Sequence, residues 1–97
     1  MQSDPEHVYV KNNWDYIMNG ANLANASVAI AATKEDGSAL EVSVPADKLT
    51  ASDNELKIDG TWLTETMTDV SSDDAPVTFT VTTPSGTTEH KTTTGIA

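Results

Sequence analysis

The segment Pro76–Thr83 constrains the fold of this chain more than any other. Val77, Phe79 and Val81 alternate with Thr78, Thr80 and Thr82. Successive side chains of an extended strand point to opposite faces, so this run puts three large apolar groups on one side and three hydroxyls on the other. A helix, turning every ~3.6 residues, would scatter both sets around its axis. Such a strand needs a second layer of protein over its apolar face and water over its hydroxyl face. Pro76 opens the run, and Pro84-Ser85-Gly86 turns the chain out of it.

The same alternation recurs along the chain. Leu40, Val42 and Val44 are interleaved with Glu41 and Ser43 and stop at Pro45, while Leu56 and Ile58 are interleaved with Glu55, Lys57 and Asp59 and stop at Gly60. Residues 26–32 carry Val28 and Ile30 on one side with small residues between. Trp14, Tyr16 and Met18 share one face of a strand that ends at Asn19-Gly20, and His7-Val8-Tyr9-Val10 is a short β-prone run broken by Asn12-Asn13. Glu35-Asp36-Gly37-Ser38 has hairpin-turn chemistry, and residues 87–94 return as a polar strand with almost no apolar face. Residues 46–50 suit a single helical turn, and residues 50–54 suit a loop. After Trp62 and Leu63, residues 64–75 are polar except for Met67 and Val70, and no segment shows convincing helical periodicity. About seven short strands with turn signals roughly every eight to twelve residues predict an all-β fold, an immunoglobulin-like antiparallel β-sandwich. Its expected core is Val28, Ile30, Leu40, Val42, Leu56, Ile58, Val77, Phe79 and Val81.

Composition narrows the function classes. The 97 residues suit one domain spanning 1–97, with no internal repeat and with residues 1–6 expected to be flexible. There is no cysteine, so this core is built without disulfides, and with only 5% aromatic residues it rests on a few large side chains. The formal charge is −10, and all five basic residues are lysine. Nucleic-acid binding depends on cations that neutralise phosphates, so this balance excludes DNA and RNA as partners, and it disfavours anionic membranes. No run reaches the ~18 apolar residues of a membrane span. The polar, acidic start Met1-Gln2-Ser3-Asp4-Pro5-Glu6 lacks the pattern of a signal peptide, and the chain reads as a domain excised from a larger protein.

From about Tyr16 to Thr94 the chain resembles the IPT/TIG branch of immunoglobulin-like domains. The motifs that carry the resemblance are Ile17-Met18-Asn19-Gly20-Ala21-Asn22-Leu23, then Val42-Ser43-Val44-Pro45, then Ser52-Asp53-Asn54-Glu55-Leu56-Lys57-Ile58. The closing one is Phe79-Thr80-Val81-Thr82-Thr83-Pro84-Ser85-Gly86, with phenylalanine where the family pattern opens on valine. The link over residues 60–75 is longer and more acidic than the family's short connection. The resemblance implies a module without catalytic apparatus, used in surface receptors, adhesins, multidomain enzymes, virion or secreted proteins and some transcription factors.

The residues themselves point the same way. His7 and His90 lie in polar terminal segments away from any nucleophile motif, and the glycines form no phosphate-binding loop, so no enzyme activity and no cofactor are expected. Calcium takes about six to eight oxygen ligands. Asp53-Asn54-Glu55 and residues 69–74 are rich in such groups but lack a dedicated ligand spacing, and Asp, Asn and Ser serve turns through local backbone bonds. No metal is therefore expected. Asn25-Ala26-Ser27 matches a glycosylation acceptor by chance. Trp14, Tyr16 and Trp62 are the candidate binding residues: together they would offer a flat platform for a sugar ring, with Asn12, Asn13 and Asp15 as hydrogen-bonding neighbours. Glu89, His90 and Lys91 would protect an exposed sheet edge, leaving contacts to the loops and the Trp14/Trp62 region. The expected function is a non-catalytic interaction or spacer module of a larger extracytoplasmic (cell-surface, secreted) or virion protein, whose partners are proteins, neighbouring domains or carbohydrate. A cytoplasmic structural domain is the remaining reading.

Overall fold

The computed structural model of the chain describes residues 7–95 and the backbone of Gln2–Ser3. Among the described residues nine strands form two sheets. They are β1 (Gln2–Ser3), β2 (His7–Val8), β3 (Asp15–Asn19), β4 (Ser27–Thr33), β5 (Ala39–Ser43), β6 (Leu49–Ala51), β7 (Glu55–Ile58), β8 (Pro76–Thr83) and β9 (Gly86–Thr94). One sheet has the order β1-β3-β7-β6 and the other the order β2-β9-β8-β4-β5. The all-β, sandwich-like character expected from the alternations holds. Apart from the Gln2–Ser3 backbone, the segment 1–6 expected to be flexible lies outside the described residues.

The core forms where alternation meets alternation. Along β8, Val77, Phe79 and Val81 are buried while Thr78, Thr80 and Thr82 face outward. Ile30 of β4 lies opposite Phe79, and Val28 lies opposite Val81. From the other sheet, Tyr16 and Met18 of β3 sit beside Ile58 and Leu56 of β7. The two layers are joined by the Tyr16 and Phe79 rings, stacked at 4.7 Å between centroids. Both residues have no exposed surface.

Several expectations need correction. Residues 60–66 form a helix, α1 (Gly60–Thr66), where no helical periodicity was expected. Leu63, Met67 and Val70 are all fully buried, and their spacing of four and three residues is that of one helical face continued into the following turn. Two leucine- or methionine-sized groups in a short polar run are too few for that period to stand out. Asp59 caps the helix: its carboxylate accepts the Trp62 N–H at 3.0 Å. Gly60 is required by packing, because a Cβ there would overlap the Asn13 carbonyl and the Trp14 backbone. Leu40 and Val42 are half-buried, not buried: β5 is the outermost strand of its sheet, and both pack against the margin of the core. Residues 49–51, read partly as loop, pair with β7 as the strand β6. The strand count is nine rather than about seven because Gln2–Ser3 and Leu49–Ala51, too short for an alternation signal, are added by pairing. Two pairings, β1 with β3 and β2 with β9, are parallel, and the others are antiparallel.

Thr94 ties the end of β9 to the loop after α1. It is fully buried, and its hydroxyl donates to the Ser71 carbonyl at 2.6 Å while accepting the Ala75 N–H at 2.9 Å.

Candidate functional site

A concavity lies between the end of β3 with the turn after it and the hairpin joining β8 to β9. It is a groove of about 390 Å³. Local chemistry builds both walls. On one side Gly20 and Leu23 donate their N–H groups to the carbonyls of Asn54 and Asp53, at 3.2 and 3.0 Å, pinning the turn to the β6–β7 connection. Asn22 and Asn25 adopt left-handed backbone at φ 60° and 62°, which asparagine tolerates better than most residues. On the other side a two-residue loop, Pro84-Ser85, closes the hairpin, and Gly86 takes φ 138°, open to glycine.

The floor of the groove is apolar: Met18, Leu23 and Val81 retain only a few per cent of their surface. Polar residues line its rim, among them Asn19, Asn22 and Thr88, while the Thr87 hydroxyl meets that of Thr82 at 3.3 Å and Glu89 lies opposite Thr80 on the outer face of the hairpin. His90 closes the lower end. It shares a hydrogen bond of 2.9 Å with the Tyr16 hydroxyl through Nε2, and its ring tilts against those of Tyr16 and Phe79 at 6.3 and 6.4 Å. This imidazole is held by the core, and the groove offers apolar contact and hydrogen-bonding groups.

A second surface is aromatic. His7 and Tyr9 stack at 6.2 Å, and Tyr9 meets Trp14 edge-on at 5.2 Å. A hollow of about 260 Å³ beside them is lined by His7, Tyr9, Ser72, Asp73, Asp74 and Gly95.

The structure does not assemble the expected platform of Trp14, Tyr16 and Trp62. Tyr16 is inside the core, stacked on Phe79, so its ring is removed from any surface. Trp14 is half-buried and has Tyr9 as its ring partner. Trp62 is half-buried on α1 and packs against the core. Tyr9, the ring partner of Trp14, and His7, stacked on Tyr9, are absent from the expected platform, although their signal is in the sequence. In His7-Val8-Tyr9-Val10 the alternation buries Val8 and Val10 and turns both rings to the other side.

The acidic segments serve turns. The Asp53 and Asn54 carbonyls hold the turn after β3, the Asp69 carbonyl accepts the Glu35 N–H at 2.8 Å, and Asp73 donates its N–H to the Ser71 hydroxyl at 3.1 Å. Among the described residues no three His, Asp or Glu side chains converge as a metal site. His90 faces the core, so of the three residues expected to guard the β9 edge it does not belong to the outward charge pattern. No helix among the described residues is long and apolar enough to cross a membrane.

No protein-family model, curated protein or solved structure matches the chain.

Proposed function

We propose that the chain is a non-catalytic immunoglobulin-like interaction module that binds a protein partner through the groove between the end of β3 and the β8–β9 hairpin. The observation that carries the reading is the composition of that groove, an apolar floor under a rim of hydroxyls and amides. Recognition sites have this make-up: apolar area supplies affinity and a few polar groups set orientation. The immunoglobulin-like assignment draws support from the strand orders. In chain order, β1-β3-β7-β6 follows the A-B-E-D sheet, and β9-β8-β4-β5 follows the G-F-C sheet with an added strand. Display on an extracytoplasmic or virion protein follows from the resemblance to the IPT/TIG modules.

A second reading, carbohydrate binding, is favoured by the edge-on Tyr9–Trp14 pair and the hollow beside it. One experiment separates the two. A random-peptide display library and a glycan array are screened with the wild type, with Thr88→Tyr, which fills the groove, and with Trp14→Ala. The groove reading expects peptide binders that Thr88→Tyr loses and Trp14→Ala keeps. Glycan binding lost in a stably folded Trp14→Ala variant, with no peptide binders, would overturn it in favour of carbohydrate.

A further inference from the structure

We infer that the outer flank of β9 over residues 86–89 accepts an added strand, and that its occupant is an extended segment of a partner chain carrying basic residues. The inference rests on the groove being the interaction surface and adds how it is filled.

Backbone geometry comes first. With only Pro84 and Ser85 in the loop, Thr83 and Gly86 form the hydrogen-bonded closing pair of the hairpin. Bonded pairs then recur at every second residue, so Thr88 and His90 bond to β8, while Thr87 and Glu89 turn their N–H and C=O groups away from it. Among the described residues no strand pairs with that stretch. The flank is a usable edge, because β2 occupies it further along. His7 pairs in parallel with Thr93 and Val8 with Thr94, and Gly95 donates to the Val8 carbonyl at 3.0 Å. A second strand towards the hairpin would continue a pairing that the fold already makes. Its alternate side chains would fall onto Met18, Leu23 and Val81, the floor of the groove.

Charge selects the occupant. Glu89 lies opposite Thr80 on the outer face of β9, where the outward-facing side chains of an added strand would meet it, and Glu55 stands opposite Asn19 on the neighbouring strand. The whole chain carries −10. A second copy would bring the same charge to the same place, whereas a basic segment is attracted.

The test uses the ¹⁵N-labelled chain titrated with the peptide Lys-Val-Thr-Val-Thr-Val-Lys and with a counterpart carrying Asp at both ends. Saturable shift changes should fall on residues 18–23 and 86–90, and the Thr87 and Glu89 amides should gain protection from hydrogen exchange. Binding should weaken on raising salt and be about tenfold or more weaker for the Asp-ended peptide. Thr87→Pro removes an outward N–H without touching a bond to β8 and should weaken binding by up to about tenfold. Thr88→Tyr leaves the backbone donors in place and should block binding by filling the groove, so the test holds even if the proline variant fails to fold. No saturable change, changes elsewhere, or equal binding of the acidic peptide would each overturn the inference. Binding blocked by Thr88→Tyr without protection at Thr87 and Glu89 overturns strand addition and leaves the groove reading standing. Self-association of the peptide-free chain through β9 would make a second copy the occupant and overturn it as well.

Discussion

Phe79→Ala is the sharpest test of how this domain is held together. The ring has no exposed surface and lies between Ile30 of β4 and His90 of β9, facing Tyr16 of the opposite sheet at 4.7 Å and 16° between ring planes. Strands on both sides hold the backbone in place, so the site cannot collapse to fill the space left by a methyl group. Truncating a buried phenylalanine costs about 3–5 kcal/mol through lost transfer energy and the cavity left behind. A domain of this size is stable by about 5–15 kcal/mol in total, so the loss takes a large fraction of it. At about 4–8 °C per kcal/mol, the melting temperature should fall by roughly 12–40 °C. Urea unfolding followed by circular dichroism and tryptophan fluorescence measures the change, and an unchanged m-value would show that the folded core is otherwise intact. Phe79→Leu should lose less than Phe79→Ala, because it keeps part of the volume. Pairing Phe79→Leu with Tyr16→Leu in a double-mutant cycle should return a coupling of about 0.5–1.5 kcal/mol for the stacked rings. A Phe79→Ala loss below about 1 kcal/mol would refute the argument, since no buried, immobilised ring of this size is removed so cheaply.

Helix propensity and packing make opposite predictions at Gly60. Alanine in place of glycine inside a helix stabilises it by about 1 kcal/mol on propensity alone. Here the added methyl meets the backbone of Asn13 and Trp14, so Gly60→Ala should instead cost about 1–3 kcal/mol by urea unfolding. Gly20→Ala, whose nearest neighbour is the movable end of Leu23 at 3.3 Å, should change stability far less. A stabilised Gly60→Ala would show that α1 does not press on the 13–14 backbone. Asp36 offers a pH test. The Ser38 side chain and N–H both bond to its carboxylate, at 2.6 and 2.9 Å, and hold its pKa below the ordinary aspartate range. Because the folded value is the lower one, any stabilisation is fully present above the unfolded pKa of about 3.9 and is lost as the pH falls through the folded value. Side-chain NMR titration should place the Asp36 midpoint below that of an unfolded reference, and Ser38→Ala should raise it. An unmoved midpoint in Ser38→Ala would refute the assignment.

Much of the architecture was legible before any coordinates. The alternations at Val77/Phe79/Val81, Leu56/Ile58 and Val28/Ile30 each named a buried face, and each is buried. Val8 and Val10 carried the same signal in a run too short to weigh. The helix was illegible for a complementary reason. Leu63, Met67 and Val70 mark its inner face, but seven helical residues complete barely two turns, and a period needs repetition to show. The candidate site was the least legible part. Trp14 and Tyr16 share one strand face in the sequence, yet one reaches the surface beside Tyr9 and the other stacks on Phe79. The groove combines residues 18–23 with residues 81–90, segments that no local pattern connects.

By itself the sequence determined which side chains share a face, where the chain turns, and that the core is built from a few large apolar groups without disulfides or basic clusters. Those are local matters: period-two geometry, the steric freedom of glycine and asparagine, and the charge count. Only the tertiary structure decided which of the shared faces are covered. Leu40 and Val42 have the same alternation as Leu56 and Ile58 but lie on an outermost strand, so they stay half-exposed. His90 looks like part of an exposed charge run and instead bonds to Tyr16, because the strand opposite it belongs to the other sheet. Burial depends on what lies across the interface, and that partner is supplied by residues tens of positions away in the chain.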